Sequence, residues 1–177
     1  MRESDKNFEP KVTDFGMSKF VSNSESASMT ANLGTLRYMA PELFVNDHDI
    51  SHMVDVYGFS MIMYELLFEE YPFADSSRKL NRFSSSGGSS ASNEAVFCIP
   101  IKVAKGERPI IPFSSEQEVE LWIGEFLSDK LDLKKLSLAL QGCVLLMKEC
   151  WDQVPNKRPS FVRISETLSK TLSNLKE

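Results

Sequence analysis

The residues able to do chemistry begin with Asp14, in the tripeptide Asp14-Phe15-Gly16. A carboxylate suits a hard, oxygen-preferring cation. A given tripeptide arises by chance about once in ten thousand positions at average usage, so alone this one is only a candidate. Hydroxyls follow at Ser18, Ser22, Ser24, Ser26, Ser28 and Thr30. A phosphate placed on any of them would order the chain around it, provided a cationic partner faced it. His48 and His52 stand four apart, a spacing that serves a metal when both lie on a helix. They precede the nearest helical pattern and have no third ligand, so metal binding is not expected of them. Cys98, Cys143 and Cys150 are odd in number and lack C-x-x-C spacing. They read as reduced, packed thiols, with neither a disulfide nor a metal framework.

The elements that must position these groups are mostly helical. Lys11-Val12-Thr13 follows Pro10 and predicts a short extended segment leading into Asp14. Residues 17–32 have no hydrophobic period and read as a loop, and 33–43 as irregular chain ordered by its packing. Ser51 is placed to cap a helix over about 53–68, apolar on nearly every side, which Tyr71-Pro72-Phe73 stops. Residues 83–93, FSSSGGSSASN, cannot bury enough apolar area to offset their ordering entropy and read as a flexible insertion. Ser115 and Glu118 have capping-box spacing ahead of Val119, Trp122, Ile123, Phe126 and Leu127 at helical intervals. A further helix covers about 136–151. The last starts near Ser160 and carries Phe161, Ile164, Leu168, Leu172 and Leu175 on one stripe, read as core packing in preference to a coiled-coil seam. Trp151 and Phe161 are expected core anchors.

Composition bounds the partners. The chain has 177 residues, 42% hydrophobic and 25% charged, enough for one domain or most of one. Its net charge of −5 offers no basic stripe for nucleic acid or an anionic membrane surface. The stretch from Val54 to Phe68 contains Glu65 and is too short to span a bilayer, and residues 1–6 hold no apolar leader core, so a cytoplasmic setting is expected.

Asp14-Phe15-Gly16 gains meaning from the motifs downstream of it. Gly34-Thr35 and Tyr38 precede Ala40-Pro41-Glu42; Asp55-Val56-Tyr57 opens the apolar helix and Tyr71-Pro72-Phe73 closes it. Then come Gly106-Glu107-Arg108-Pro109, Cys150-Trp151, Pro155 and Arg158-Pro159-Ser160-Phe161. With these elements in this order, the sequence resembles the C-terminal half of a eukaryotic protein kinase domain over nearly its whole length, and most of all the tyrosine-kinase-like group. The resemblance implies a mainly α fold: a helical C-lobe with a short β segment before Asp14, and no N-lobe within these residues. It implies ATP and Mg²⁺ as cofactors, with Asp14, Phe15 and Gly16 at the nucleotide and the Asp14 carboxylate on the metal. It makes 17–32 the activation loop and Thr35, Leu36 and Tyr38 the substrate-docking segment. Thr35 after Gly34 matches the serine/threonine-kinase pattern, whereas tyrosine kinases usually carry a proline-rich stretch and a Trp before the Ala-Pro-Glu. Glu42 and Arg158 match a buried ion bridge, and Asp55 a helix carboxylate that accepts backbone N–H groups. Those three roles are structural.

The departures are equally informative. A Gly-rich loop, a strand lysine with its glutamate, and a His-Arg-Asp-x-x-x-x-Asn loop are not found in these residues, so no catalytic aspartate is assigned. Residues 1–177 are thus expected to be a partial kinase domain, inactive as this isolated chain, with the small lobe as packing partner and a protein substrate in the complete family. The alternative is a pseudokinase-like binding or scaffold module. Gly58-Phe59-Ser60 stands where relatives usually show Ser-Phe-Gly, an exchange of small residues that helix packing should tolerate. Residues 83–93 and the helix-bearing stretch 114–135 look inserted.

Overall fold

A helix that is apolar on every side needs neighbours on every side. The computed structural model describes residues 11–13, 35–45, 50–74, 96–124 and 133–176, and in it such a helix, α2 (Met53–Phe68), is covered along most of its surface but leaves Ile62 and Leu66 exposed. Preceding it is α1 (Glu42–Val45) and following it are α3 (Ile99–Ala104), α4 (Glu116–Gly124), α5 (Leu133–Cys150) and α6 (Phe161–Lys176). Val56, Tyr57, Met61, Met63, Tyr64 and Phe68 of α2 are buried. α2 packs on α5, which also carries α4 and α6 on its flanks. Among the described residues every regular element is helical, in keeping with the mainly α class expected.

Of the two caps read from the sequence, the Ser115–Glu118 box is realised, whereas Ser51 stands one residue ahead of the N-cap of α2, His52. The Ser51 hydroxyl accepts the Met53 N–H at 3.3 Å, a local turn bond leading into α2 and not a cap of it. Ser115 Oγ accepts the Glu118 N–H at 3.2 Å, and Glu118 in return accepts the Ser114 N–H at 2.6 Å. That is a capping box whose return bond falls one residue early. Phe113 and Trp122 then close over the end of α2, where Tyr64, Phe68, Phe113 and Trp122 form edge-to-face pairs with centroids 4.9–5.9 Å apart.

Other expectations need correcting. The short β segment before Asp14 is not formed: residues 11–13 are irregular and exposed, since a strand exists only in a ladder and no described residue builds one on them. Residues 35–43 are more regular than expected, with a 3-10 turn at Thr35–Arg37 and α1 directly after. α3, six residues long, has too few positions to show a period. The apolar stripe of α6 is mostly peripheral: Ile164 is buried and Leu168 partly so, whereas Phe161 is 45% exposed and touches the rest through an edge contact with Phe59 at 5.7 Å. Phe161 is therefore no core anchor, because it stands at the first residue of α6, at the margin of the packed face. Trp151, 7% exposed, is one. All three cysteines are free thiols, with Cys150 buried and Cys98 exposed. Asp14, Phe15, Gly16, the serine-rich loop, His48, the 83–93 tract, Phe126 and Leu127 lie outside the described residues.

The turn after α3 has a clear physical cause. Gly106 N–H binds Val103 O at 3.0 Å and Glu107 N–H binds Lys102 O at 2.9 Å, the paired bonds of a Schellman stop. That geometry sets Gly106 at φ 89°, where a side chain is strained although no atom lies within 4 Å of its would-be Cβ. Gly106→Ala should therefore lower the unfolding free energy by about 1–2 kcal/mol through the backbone alone, read from the urea midpoint.

Candidate functional site

The segment 35–45 is built by short-range turns and fixed by long-range anchors. Tyr38 N–H closes the 3-10 turn on Thr35 O at 3.0 Å, and Leu43 and Phe44 N–H groups reach Ala40 O and Pro41 O at 3.1 Å to start α1. Leu36, Met39, Ala40 and Pro41 are buried, so the segment lies on the core and is not a free loop. Its polar groups point to α2 and to the turn beyond it. The Tyr38 hydroxyl donates to Glu65 Oε1, and Arg37 donates from its guanidinium to Pro72 O. A Cβ at Gly58 would stand 3.5 Å from Tyr38 O, an ordinary contact. Tyr38 thus lies along one face of α2 defined by positions 58 and 65, two turns apart. Burial first, then the Glu65 carboxylate, pushes the Tyr38 phenol well above the usual range.

The strongest anchor is at the other end. Arg158 Nη1 and Nη2 hold Glu42 Oε1 and Oε2 at 2.6 and 2.8 Å in a two-pronged bridge between residues 116 apart in sequence. Nη1 also donates to Met53 O at 2.8 Å and Nε to Asp152 O at 2.9 Å, so four of the five guanidinium N–H groups are used. The Arg158 side chain is fully enclosed and that of Glu42 is 11% exposed. One guanidinium therefore ties together the start of α1, the start of α2 and the turn ahead of α6.

Tyr57 packs against this bridge. Two guanidinium groups stand over its ring, with Arg108 Cζ at 5.2 Å and Arg158 Cζ at 5.3 Å from the centroid. Arg108 is fastened in turn by Nε to Trp151 O at 2.9 Å and Nη2 to Gln153 Oε1 at 2.7 Å. The Tyr57 hydroxyl is buried and has no hydrogen-bond partner among the described residues. Burial pushes its phenol up to about 12, with the two arginines opposing.

Of the residues singled out in the sequence, Leu36, Tyr38, Glu42 and Arg158 come together in this frame. Thr35 is exposed at the head of the segment. Asp55 is exposed in the first turn of α2, where a carboxylate faces the positive end of the helix dipole, and takes no part in the frame. Arg37, Tyr57, Glu65, Pro72 and Arg108 belong to the frame without having been assigned a role in it. Tyr57, Pro72 and Arg108 stand in the sequence only as members of the motifs above, and Glu65 as one of two charges in an apolar helix. The exchanged Gly58-Phe59-Ser60 order is accommodated, since the buried Ser60 hydroxyl donates back to Tyr57 O at 2.6 Å. Among the described residues no three His, Cys, Asp or Glu side chains are grouped as metal ligands, and no helix is long and apolar enough to cross a membrane.

The family model described as "Protein kinase domain" matches residues 2–170. A probable LIM domain-containing serine/threonine-protein kinase of Dictyostelium discoideum is 34% identical over 169 residues, 95% of this chain and 19% of that protein. Ankyrin repeat and protein kinase domain-containing protein 1 of Mus musculus is 31% identical over 173 residues, 96% of the chain and 18% of that protein. The dual specificity protein kinase shkB of Dictyostelium discoideum is 31% identical over 162 residues, 92% of the chain and 19% of that protein. The chain thus spans about a fifth of the length of each of these relatives.

Two measurements check the frame. Glu42→Ala or Arg158→Ala leaves an enclosed charge without its partner and should cost about 3–5 kcal/mol, while Arg158→Lys recovers only part, lacking the planar fork; chemical denaturation reads both. At pH 7, Tyr57→Phe should leave stability unchanged or raise it by up to about 2 kcal/mol, because it removes a buried hydroxyl that has no partner among the described residues, whereas Tyr57→Ala should cost about 3–5 kcal/mol. A phenol raised on folding stabilises fully below its ordinary value of 10.0, and that contribution is lost as pH climbs through about 12. Tyr57→Phe should therefore flatten the loss of stability between these values without abolishing it, since Tyr64 and Cys150 are also pushed up to about 12 by burial.

Proposed function

The chain belongs to the protein kinase domain family, and on that premise we propose that it is the substrate-docking part of a catalytic domain of the tyrosine-kinase-like group. That domain transfers the γ-phosphate of ATP to serine or threonine of a protein substrate in the cytoplasm. The observation that carries this reading is the 35–45 segment, held at one end by the Glu42–Arg158 bridge and along its length by Tyr38–Glu65 and Arg37–Pro72. A protein kinase acts almost entirely by positioning and electrostatics, so a rigid platform for the acceptor is one of its working parts. Thr35, Leu36 and Tyr38 are its docking residues in this reading, and Thr35 after Gly34, with relatives named as serine/threonine kinases, favours hydroxyl acceptors of that type.

Protein kinases use ATP and Mg²⁺, the metal neutralising charge on the phosphates. Asp14 enters as the Mg²⁺ carboxylate on its Asp14-Phe15-Gly16 setting alone, with Phe15 and Gly16 beside the nucleotide. Residues 17–32 act as the activation loop, and the small lobe that cradles phosphate packs against this part. A dual-specificity acceptor range is the second reading, favoured by one relative's name.

Radiolabelled ATP decides between these. The natural protein should place phosphate on serine and threonine of a general protein substrate, Asp14→Ala should reduce transfer by at least a hundredfold, and residues 1–177 expressed alone should transfer none. Phosphotyrosine in the hydrolysate would establish the dual range. Transfer by the isolated chain, or Mg-ATP raising its melting temperature in a way that Asp14→Ala removes, would overturn the claim of inactivity.

A further inference from the structure

Arg37 is joined to a turn that is itself under strain. α2 ends at Glu69, which takes the left-handed region at φ 51° and ψ 33° with its N–H on Glu65 O at 2.8 Å. Four residues later Phe73 is also left-handed, at φ 58°. Neither is glycine, and a bulky aromatic adopts this conformation only where its surroundings impose it. Three features impose it here. Phe73 packs partly into the core, Ala74 N–H closes the turn on Tyr71 O at 3.1 Å, and Arg37 holds the carbonyl of Pro72, the residue just before Phe73. The guanidinium comes from a part of the chain 35 residues earlier, the same 3-10 turn that is closed by Tyr38 N–H on Thr35 O.

We infer that Arg37 is a positioning residue that makes the strained turn 69–74 and the docking segment 35–40 one mechanical unit, so that a protein substrate meets both as a single rigid surface. The consequence for substrate rests on the kinase reading above; the coupling itself does not. The bond is charge-assisted and half-buried, and it restrains both partners at once. Releasing it frees a strained turn on one side and a segment two residues from Thr35 on the other. Tyr38, anchored separately on Glu65, keeps the segment on α2 after Arg37 lets go, so the expected result is loosening and not unfolding. Tyr71, 66% exposed on the same turn, is the side chain whose placement toward an incoming chain depends most on that restraint.

Two amides report on the coupling by hydrogen exchange in the 177-residue chain: Tyr38 N–H on the segment and Ala74 N–H on the turn. Arg37→Ala should lower protection at both by about tenfold while amides of α5 stay unchanged, and Arg37→Lys, able to give one bond to the same carbonyl, should restore most of it. In kinase assays of the natural protein, Arg37→Ala should raise KM for the protein substrate about five- to tenfold, with kcat and KM for ATP within twofold of the parent. Protection unchanged at either amide, a loss at α5 as well, or a fall in kcat at constant protein-substrate KM would each overturn the inference. Failure of the kinase reading shows separately, as no transfer by the parent protein; exchange at the two amides then decides the coupling by itself.

Discussion

The bridge between Glu42 and Arg158 is the interaction on which the rest depends. Enclosing two charges is unfavourable unless each is matched, and a single unmatched partner is far worse than none. Here the match is complete in geometry: a planar fork meets a planar carboxylate, and the remaining donors reach Met53 O and Asp152 O. Because the guanidinium must satisfy all of these together, α1, α2 and the turn before α6 have little freedom to move independently. The bridge is thus more a device for fixing relative position than a source of net stability.

Position is what the segment 35–45 needs. Its buried residues Leu36, Met39, Ala40 and Pro41 set it on the core, but apolar burial is non-directional and would allow sliding. The directional contacts remove that freedom. Tyr38 is fixed on Glu65, Arg37 on Pro72 O and Glu42 on Arg158, so three successive grips lie within six residues of chain. α2 supplies the counterpart of one grip and, through Met53 O, part of another. This explains why an apolar helix keeps a glutamate three residues before its end.

Much of this was legible in advance. The mainly α class, α2, the capped start of α4, the extents of α5 and α6 to within a few residues, and the pairing of Glu42 with Arg158 all follow from period, caps and the resemblance to protein kinases. Gly106, noted only as part of a motif, turned out to have a local cause in the stop it provides after α3. Less was legible where the answer depended on neighbours. Phe161 belongs to a clean apolar stripe, yet the stripe extends past the packed surface; Lys11-Val12-Thr13 has strand character, yet forms no ladder among the described residues.

The sequence alone determined what depends on neighbours within a few residues: helix period, caps, the glycine stop and the order of motifs that marks the family. Only the tertiary structure decided which distant groups meet. Arg108 and Arg158 facing one tyrosine ring, Arg37 reaching a carbonyl 35 residues away, and Tyr38 finding Glu65 are set by how helices cross. No local preference encodes such meetings, because each partner alone has the character of an ordinary solvated arginine, a core tyrosine or a surface glutamate. Their roles exist only once the core has brought their backbones together.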